Sequence, residues 1–591
     1  MESITEINYK DIIELNSGVY FPSPESWSDQ VLYFLLVDRF SNGKESKPFA
    51  LSDNGNAIRN QTDNENWQKA GNKFCGGTIN GIISKLDYLK GLGISAIWVS
   101  PIFKQVSNLE TYHGYGIQNY LEIDPRFGSK EDLKELVKQA HSKDIYIVLD
   151  IILNHSGNVW DYATPSVLWN GKPHDVAGFY DKNRKITSSI NDLEDGIWPR
   201  EFHDLQEIFT RKGQIKNWDY DPEYKEGDFF DLKDNNIGDD NLYNFVPSKA
   251  LIALGDIYKY WIAFADIDGF RIDTVKHMGQ APTRFFVREI REFAQSIGKE
   301  NFYLIGEITG GRIHAFNTVE TTGLSAALGI DDVQDKLEYL AKGYRNPEEY
   351  FNLFGNSKEF GKDSHVWFGD HVITMIDDHD QVRKGEQKAR FCSGESGDLL
   401  IYCALALNLT TLGIPCIYYG TEQYFDGRGG SDKYIRECMF EGDFGAFRSK
   451  GVHFFNSDQA LYREIARLVD FRKKKLPLKR GRQYLRTISG NGFDFGLPVI
   501  WNNKLTSVIA WSRIFNNEEL ICAINNSTNE ELSVWVTIDN RIHNQGDCFS
   551  RVFCSGDQGV AHTTRVEDRN GKAIHIIVPP AGFVIYEKQE S

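Results

Sequence analysis

The stretches ISAIWVS (94–100) and IYIVLD (145–150), with SKEDLKELVKQAH (129–141) between them, decide the fold. The outer two are almost wholly apolar and of strand length, whereas Leu133, Leu136, Val137 and Ala140 of the middle one share a helical face. Ser129 followed by Asp132 is the capping pattern that opens such a helix. Strands that are apolar on both faces and joined by a helix belong in a parallel sheet covered on both sides. Upstream, VLYFLLVD (31–38) reads as a strand, and Ile82, Ile83, Leu86 and Leu89 lie on one face of a helix that Gly91 and Gly93 end.

The rhythm stops after residue 155. Residues 156–245 are polar, aromatic-rich and irregular, and a stretch of this length predicts a small inserted domain. A helix with Leu254, Ile257, Tyr258, Trp261 and Ile262 on one face restarts the alternation. IDGFRID (267–273), FYLIGE (302–307), a less distinct strand near 325–331, VITMIDD (372–378) and PCIYYG (415–420) follow, completing eight parallel strands. After a helix at about 459–475 the chain reads as strands alone, SVIAWSR, LICAINN, SVWVTI, AIHIIV and FVIYE. The expected architecture is a (β/α)8 TIM barrel of residues 1–155 and 246–484, with residues 156–245 inserted after the third strand. A C-terminal antiparallel β-sandwich of residues 485–591 completes it.

Composition excludes several classes. The 591 residues are 41% hydrophobic, 13% aromatic and 25% charged, values of an ordinary globular protein and not of a disordered one. With 66 Lys plus Arg against 83 Asp plus Glu, the net charge of −17 repels phosphate backbones and anionic lipid, so neither nucleic acid nor a membrane is an expected partner. The amino terminus lacks the pattern of a secretion signal and no run of about 18 apolar residues occurs, so a cytoplasmic protein is expected. A monomer or weak oligomer is expected as well. Eight cysteines without a C-x-x-C spacing read as reduced, mostly buried thiols and not as a zinc site.

Polar residues gather where the apolar strands end. Asp150, Asn154 and His155 follow the third strand, Arg271 and Asp273 end the fourth, Glu307 ends the fifth, and His379 and Asp380 stand just past the seventh. In a (β/α)8 barrel those ends converge on one face, so residues far apart in sequence meet in one pocket. An Asp after a strand is most often a turn or cap residue, and the case for catalysis rests on the set.

DIILNH (150–155), GFRIDTVKH (269–277), GE (306–307) and DDHD (377–380), in this order, resemble the four signature regions of the α-amylase family of glycoside hydrolases, family 13. GISAIWVSPIF (93–103), YHGYG (112–116), IDPRFGS (123–129) and GIPCIYYGTEQ (413–423) extend the resemblance over about residues 30–480. It implies a retaining hydrolase of α-glucosidic bonds in starch, glycogen or maltooligosaccharides. Asp273 would be the nucleophile, Glu307 the general acid and base, and Asp380 the carboxylate that stabilises the transition state. Retaining hydrolysis needs one ionised carboxylate and one protonated acid about 5 to 5.5 Å away. Arg271 would hold Asp273 ionised, and Asp380 would raise the pKa of Glu307.

The resemblance further implies that Tyr115, His113, Asp150, His155, Arg271, Lys276, His277 and His379 contact substrate. Asn154, Asp231 and the His277 carbonyl would hold Ca²⁺ between the barrel and the insertion, which corresponds to the family's domain B. Where the family often has Trp and Asp, this chain has Gly116 and Asn119, so a more open or differently packed cleft wall is expected there. Two alternatives stand beside hydrolysis: transglycosylation by the same trio, and a glucan-binding protein without catalysis.

Overall fold

The computed structural model describes residues 1–16, 18–45, 71–107, 109–354, 369–394, 396–440, 453–557 and 562–589. Eight short strands form its centre: β1 (Leu32–Leu35), β2 (Ala96–Val99), β3 (Tyr146–Ile151), β4 (Gly269–Ile272), β5 (Tyr303–Glu307), β6 (Ala326–Leu328), β7 (Ile373–Thr374) and β8 (Ile414–Tyr418). They are hydrogen-bonded in the order β6-β5-β4-β3-β2-β1-β8-β7, each pair parallel, and a parallel bridge from Ala327 to Val372 closes β6 on β7. This is the (β/α)8 barrel read from the sequence. Its strands are buried throughout except at Tyr146 and Glu307.

Local chemistry explains where the elements start and stop. The helix Lys130–His141 carries the expected reciprocal cap, with the Ser129 hydroxyl accepting from the Asp132 N–H and the Asp132 side chain returning the bond. The helix expected before β2 is two, Ile79–Ser84 and Leu86–Leu92, broken at Lys85, and Gly93 ends the second in a left-handed conformation. β7 is much shorter than VITMIDD suggested. Past it, the Asp378 carboxylate accepts the backbone N–H groups of Asp380 and Gln381, folding the chain that carries Asp380 into a turn.

Register places the site. In β3 and β4 Asp150 stands beside Arg271, and in β4 and β5 Ile272 stands beside Gly306. A one-residue slip would turn Arg271 to the other face, and the barrel core forbids it. Between β3 and β4, His155–Gly157 pairs antiparallel with Leu232–Asp234 at the seam of the inserted region. That region also holds a small sheet of Trp160–Tyr162, Val176–Tyr180 and Ile186–Thr187.

The C-terminal region packs a six-stranded antiparallel sheet against a four-stranded one. Along Val508–Phe515, Val508 and Ala510 join the core between these sheets, whereas Ile509 and Trp511 join the barrel's core. Period-2 alternation thus serves two cores, which is why the run reads as continuously apolar. Among the described residues no helix is long and apolar enough to cross a membrane.

Trp511 is fully buried at that junction. Trp511→Ala should therefore cost about 3 to 5 kcal/mol. A urea titration should show a lower midpoint, and an unchanged midpoint would contradict the packing described.

Candidate active site

The Arg271 guanidinium, buried at the mouth of β4, organises the carboxylates. Its Nη1 donates to Asp150 Oδ1 at 2.9 Å and Asp273 Oδ1 at 2.6 Å, and its Nη2 stands 3.0 Å from Glu307 Oε2. Thr274, held at φ 49°, turns its N–H onto the same Glu307 Oε2 at 3.0 Å. A β-branched residue in the left-handed region is strained, and here the strain aims a donor at a catalytic candidate. Asp150 is satisfied further by the Trp98 indole and the Tyr115 hydroxyl, each donating at 3.0 Å.

Asp380 is held separately. Arg436 Nη2 donates to its Oδ1 at 2.5 Å, and His379 Nε2 lies 3.0 Å from its Oδ2. Arg436 also donates from Nε to the His379 carbonyl, and Lys388 donates to the Asp380 carbonyl. His379 Nε2 is 2.9 Å from the Tyr115 hydroxyl, linking the two carboxylate groups.

These surroundings separate the three acids. Burial raises Glu307 to about 7; Arg271 opposes it, and the charges of Asp273 and Asp380 add to the rise. Burial also raises Asp273 to about 6, against Arg271 and with Asp150. Arg271 acts on Asp273 in the expected direction, towards the ionised form, but one cation shared among three acids offsets burial only in part. Asp380 goes the other way. Although burial raises it, His379 and Arg436 together hold it far below the ordinary carboxylate range. Burial keeps His155 and His113 at about 3 and His379 at about 4, so these imidazoles are neutral near neutral pH.

A cleft of about 430 Å³ opens over this cluster, lined by Tyr115, His155, Asp273, His277, Glu307 and Asp380. Trp218, Phe229 and Phe230 form its wall on the inserted region, and Phe230 is 72% exposed. Asp150, Arg271 and His379 are buried and do not line this cleft, although Arg271 and His379 line an adjoining cavity with Glu307 and Asp380. His113 supports Tyr115, accepting its N–H at Nδ1. Lys276 sits at the rim, donating to the Trp218 carbonyl at 3.2 Å and Asp219 at 3.0 Å. His277 packs its ring on Phe229 and its Nδ1 lies 2.6 Å from the Tyr224 carbonyl.

Two expectations change. Gly116 and Asn119 are buried; a Cβ on Gly116 would come within 2.7 Å of the Thr111 methyl, so no cleft wall is opened there. The proposed metal ligands are not assembled either. Asp231 is exposed on the turn before Leu232, whereas buried Asn154 donates across the seam to Asp234 Oδ1 at 3.3 Å. Strand alternation explains the shift, since Asp234 pairs in register with His155, next to Asn154. Among the described residues no group of three His, Cys, Asp or Glu side chains is arranged to hold a metal.

Sequence reading missed Arg436, Lys388 and Thr274. Arg436 and Lys388 lie in irregular segments that periodicity cannot place. The signal for Arg436 was a lone cation in IRECMF (435–440), among residues that prove buried.

Comparison with known proteins agrees with this geometry. Residues 34–481 match the family model described as the α-amylase catalytic domain, and the chain belongs to that family. It is 30% identical over 451 residues to an α-amylase of Streptomyces lividans, covering 69% of this chain and 48% of that one. It is 27% identical to a cyclomaltodextrin glucanotransferase of Klebsiella oxytoca, covering 85% and 71%. The fold matches that of an Anoxybacillus α-amylase with a TM-score of 0.67 at 24% identity, over 96% of this chain and 99% of that one.

The acid assignments predict a bell-shaped pH profile for kcat/KM. Asp273 must be ionised and Glu307 protonated, so activity should fall below about pH 6 and above about pH 7. Glu307→Gln, assayed on a glucosyl fluoride whose leaving group needs no proton, should lose the alkaline limb. Its persistence would contradict the assignment.

Proposed function

We propose that the chain is a retaining hydrolase of α-glucosidic bonds in α-glucans and maltooligosaccharides. The observation that carries this reading is that one guanidinium, Arg271, holds both Asp273 and Glu307. Acids drawn together on neighbouring nitrogens favour the close spacing of about 5 to 5.5 Å used in double displacement, over the wider gap that admits an inverting water.

The free oxygens support a division of the steps. Both donors to Glu307 engage Oε2, so Oε1 is left to carry the proton that the leaving oxygen takes. Arg271 engages Asp273 Oδ1, leaving Oδ2 to attack the anomeric carbon. Both oxygens of Asp380 are held by cationic or N–H groups, which suits a fixed negative charge beside the oxocarbenium-like transition state and not a nucleophile. After departure of the leaving group, Glu307 as carboxylate takes a proton from the incoming water, and a second inversion restores the α-configuration.

A second reading, transglycosylation, gains support from the apolar wall of Trp218, Phe229 and Phe230, a surface on which an acceptor sugar can stack. A glucan-binding protein without catalysis is disfavoured by the acids' separation. Asp273→Asn should lower kcat by at least about 10³-fold with folding retained. Proton NMR of a fresh maltooligosaccharide digest should show the α-anomer first. An initial β-anomer would refute retention, whereas redistribution of chain lengths at a constant number of reducing ends would replace hydrolysis by transfer.

Calcium fits the seam with a changed ligand set. Asn154 Oδ1 and Asp234 Oδ2 are buried oxygens without a hydrogen-bond partner, on side chains joined across it by the bond from Asn154 Nδ2 to Asp234 Oδ1. Hard oxygen donors of this kind suit Ca²⁺, which would tie the insertion to the barrel. Added calcium should raise the melting temperature and a chelator lower it, with Asp234→Asn abolishing the difference. Identical melting curves for metal-free protein with and without calcium would remove the ion from the account.

A further inference from the structure

Cys75 and Cys438 both lie beside Nη1 of the Arg39 guanidinium, outside the residues that line the catalytic cleft. Arg39 Nη1 is 2.6 Å from Cys75 Sγ and 3.9 Å from Cys438 Sγ, and the two cysteines are themselves hydrogen-bonded. With Phe440 they form a small buried cluster separate from the main core. Each sulfur sits on a segment fixed to the same short helix, Val37–Phe40. The Cys75 N–H donates to both Asp38 oxygens, at 3.0 and 2.9 Å, and the Met439 N–H donates to the Arg39 carbonyl at 2.9 Å. Two thiols held in contact by independent anchors need little movement to bond.

We propose that Cys75 and Cys438 are a modification site at which a disulfide oxidant, such as glutathione disulfide, closes a reversible intrachain bond that disturbs Arg436. Cys75 meets the oxidant first, because its neighbours Lys73 and Gly76 are exposed whereas Glu437 and Met439 beside Cys438 are buried. Its thiolate attacks the oxidant, forming a mixed disulfide and releasing one glutathione. The Cys438 thiolate then attacks the Cys75 sulfur and releases the second. Two protein S–H bonds and the oxidant's S–S bond are lost, one protein S–S bond is gained, and the two protons end on glutathione thiols. Burial pushes the Cys438 thiol well up, with Arg39 opposing, so closure is slow and calls for hours of exposure.

The consequence follows from chain position. Bonding draws the sulfurs from contact to about 2.05 Å and pulls the Cys438 segment toward Cys75. Arg436 is two residues before Cys438, and it alone among the described arginines holds the Asp380 carboxylate. Glu437 between them is clamped by Arg390 Nε at 2.8 Å and the Gly427 N–H at 2.8 Å, so displacement at Cys438 is passed to Arg436 instead of being absorbed. A misplacement of about 1 Å at a catalytic group can cost about 10²-fold.

The test incubates the full chain in glutathione buffers of stepped redox poise, then combines a non-reducing peptide map with kcat. The expected result is a peptide linked through Cys75 and Cys438, 2 Da lighter than its reduced parts, appearing together with at least a tenfold fall in kcat that dithiothreitol reverses. Cys75→Ala and Cys438→Ala should each keep basal activity and lose the redox response. Should one variant fold poorly, the other and the wild-type map still decide. Only glutathione adducts or free thiols at these positions after full oxidation would overturn the proposal, as would a complete linkage with unchanged kcat. The coupling rests on the proposed glucan activity, whereas the linkage is read by mass and stands apart from it.

Discussion

The Arg271 guanidinium is the constraint on which the rest of the site depends. A buried cation is costly unless paired, and this one is paired three times over, with Asp150, Asp273 and Glu307. Each acid comes from a different barrel strand or strand end, so the arrangement exists only when β3, β4 and β5 hold their register. Because one positive charge is divided among three carboxylates, none is driven to a low pKa, and burial sets the order of Glu307 above Asp273. The ordering needed for acid–base work arises from burial that a shared cation leaves in force, not from a dedicated ion pair.

Asp380 shows the opposite design. Arg436 and His379 occupy both of its oxygens, and it alone of the trio is held firmly ionised. The two halves of the site meet through Tyr115, whose hydroxyl touches both Asp150 and His379. Domain-scale architecture serves the same end: the inserted region supplies the aromatic wall over the cleft, and the C-terminal sheet shares its core with the barrel through Ile509 and Trp511.

Much of this was legible in the sequence because the barrel strands are buried on both faces and therefore read as unbroken apolar runs. The carboxylates and Arg271 stand at the ends of such runs, so their convergence followed from the fold class. Residues set by turns and irregular chain were not legible. The Asp378 turn sets the chain at Asp380, the strained Thr274 aims an N–H at Glu307, and Arg436 arrives from a segment with no periodicity. A motif match points to Asp231 as the seam ligand because a motif carries no register; the antiparallel pairing of Asp234 with His155 puts Asp234 there instead. Of the open or differently packed wall expected at Gly116, the open one is excluded because the Thr111 methyl fills that space.

The most direct test of the account is to trap the covalent intermediate with a 5-fluoro-α-glucosyl fluoride and locate the label by peptide mapping. The geometry predicts a stoichiometric glucosyl adduct on Asp273, formed by the oxygen that Arg271 leaves free. An adduct on Asp380 or Glu307 would contradict the division of roles drawn from Arg271 and Arg436.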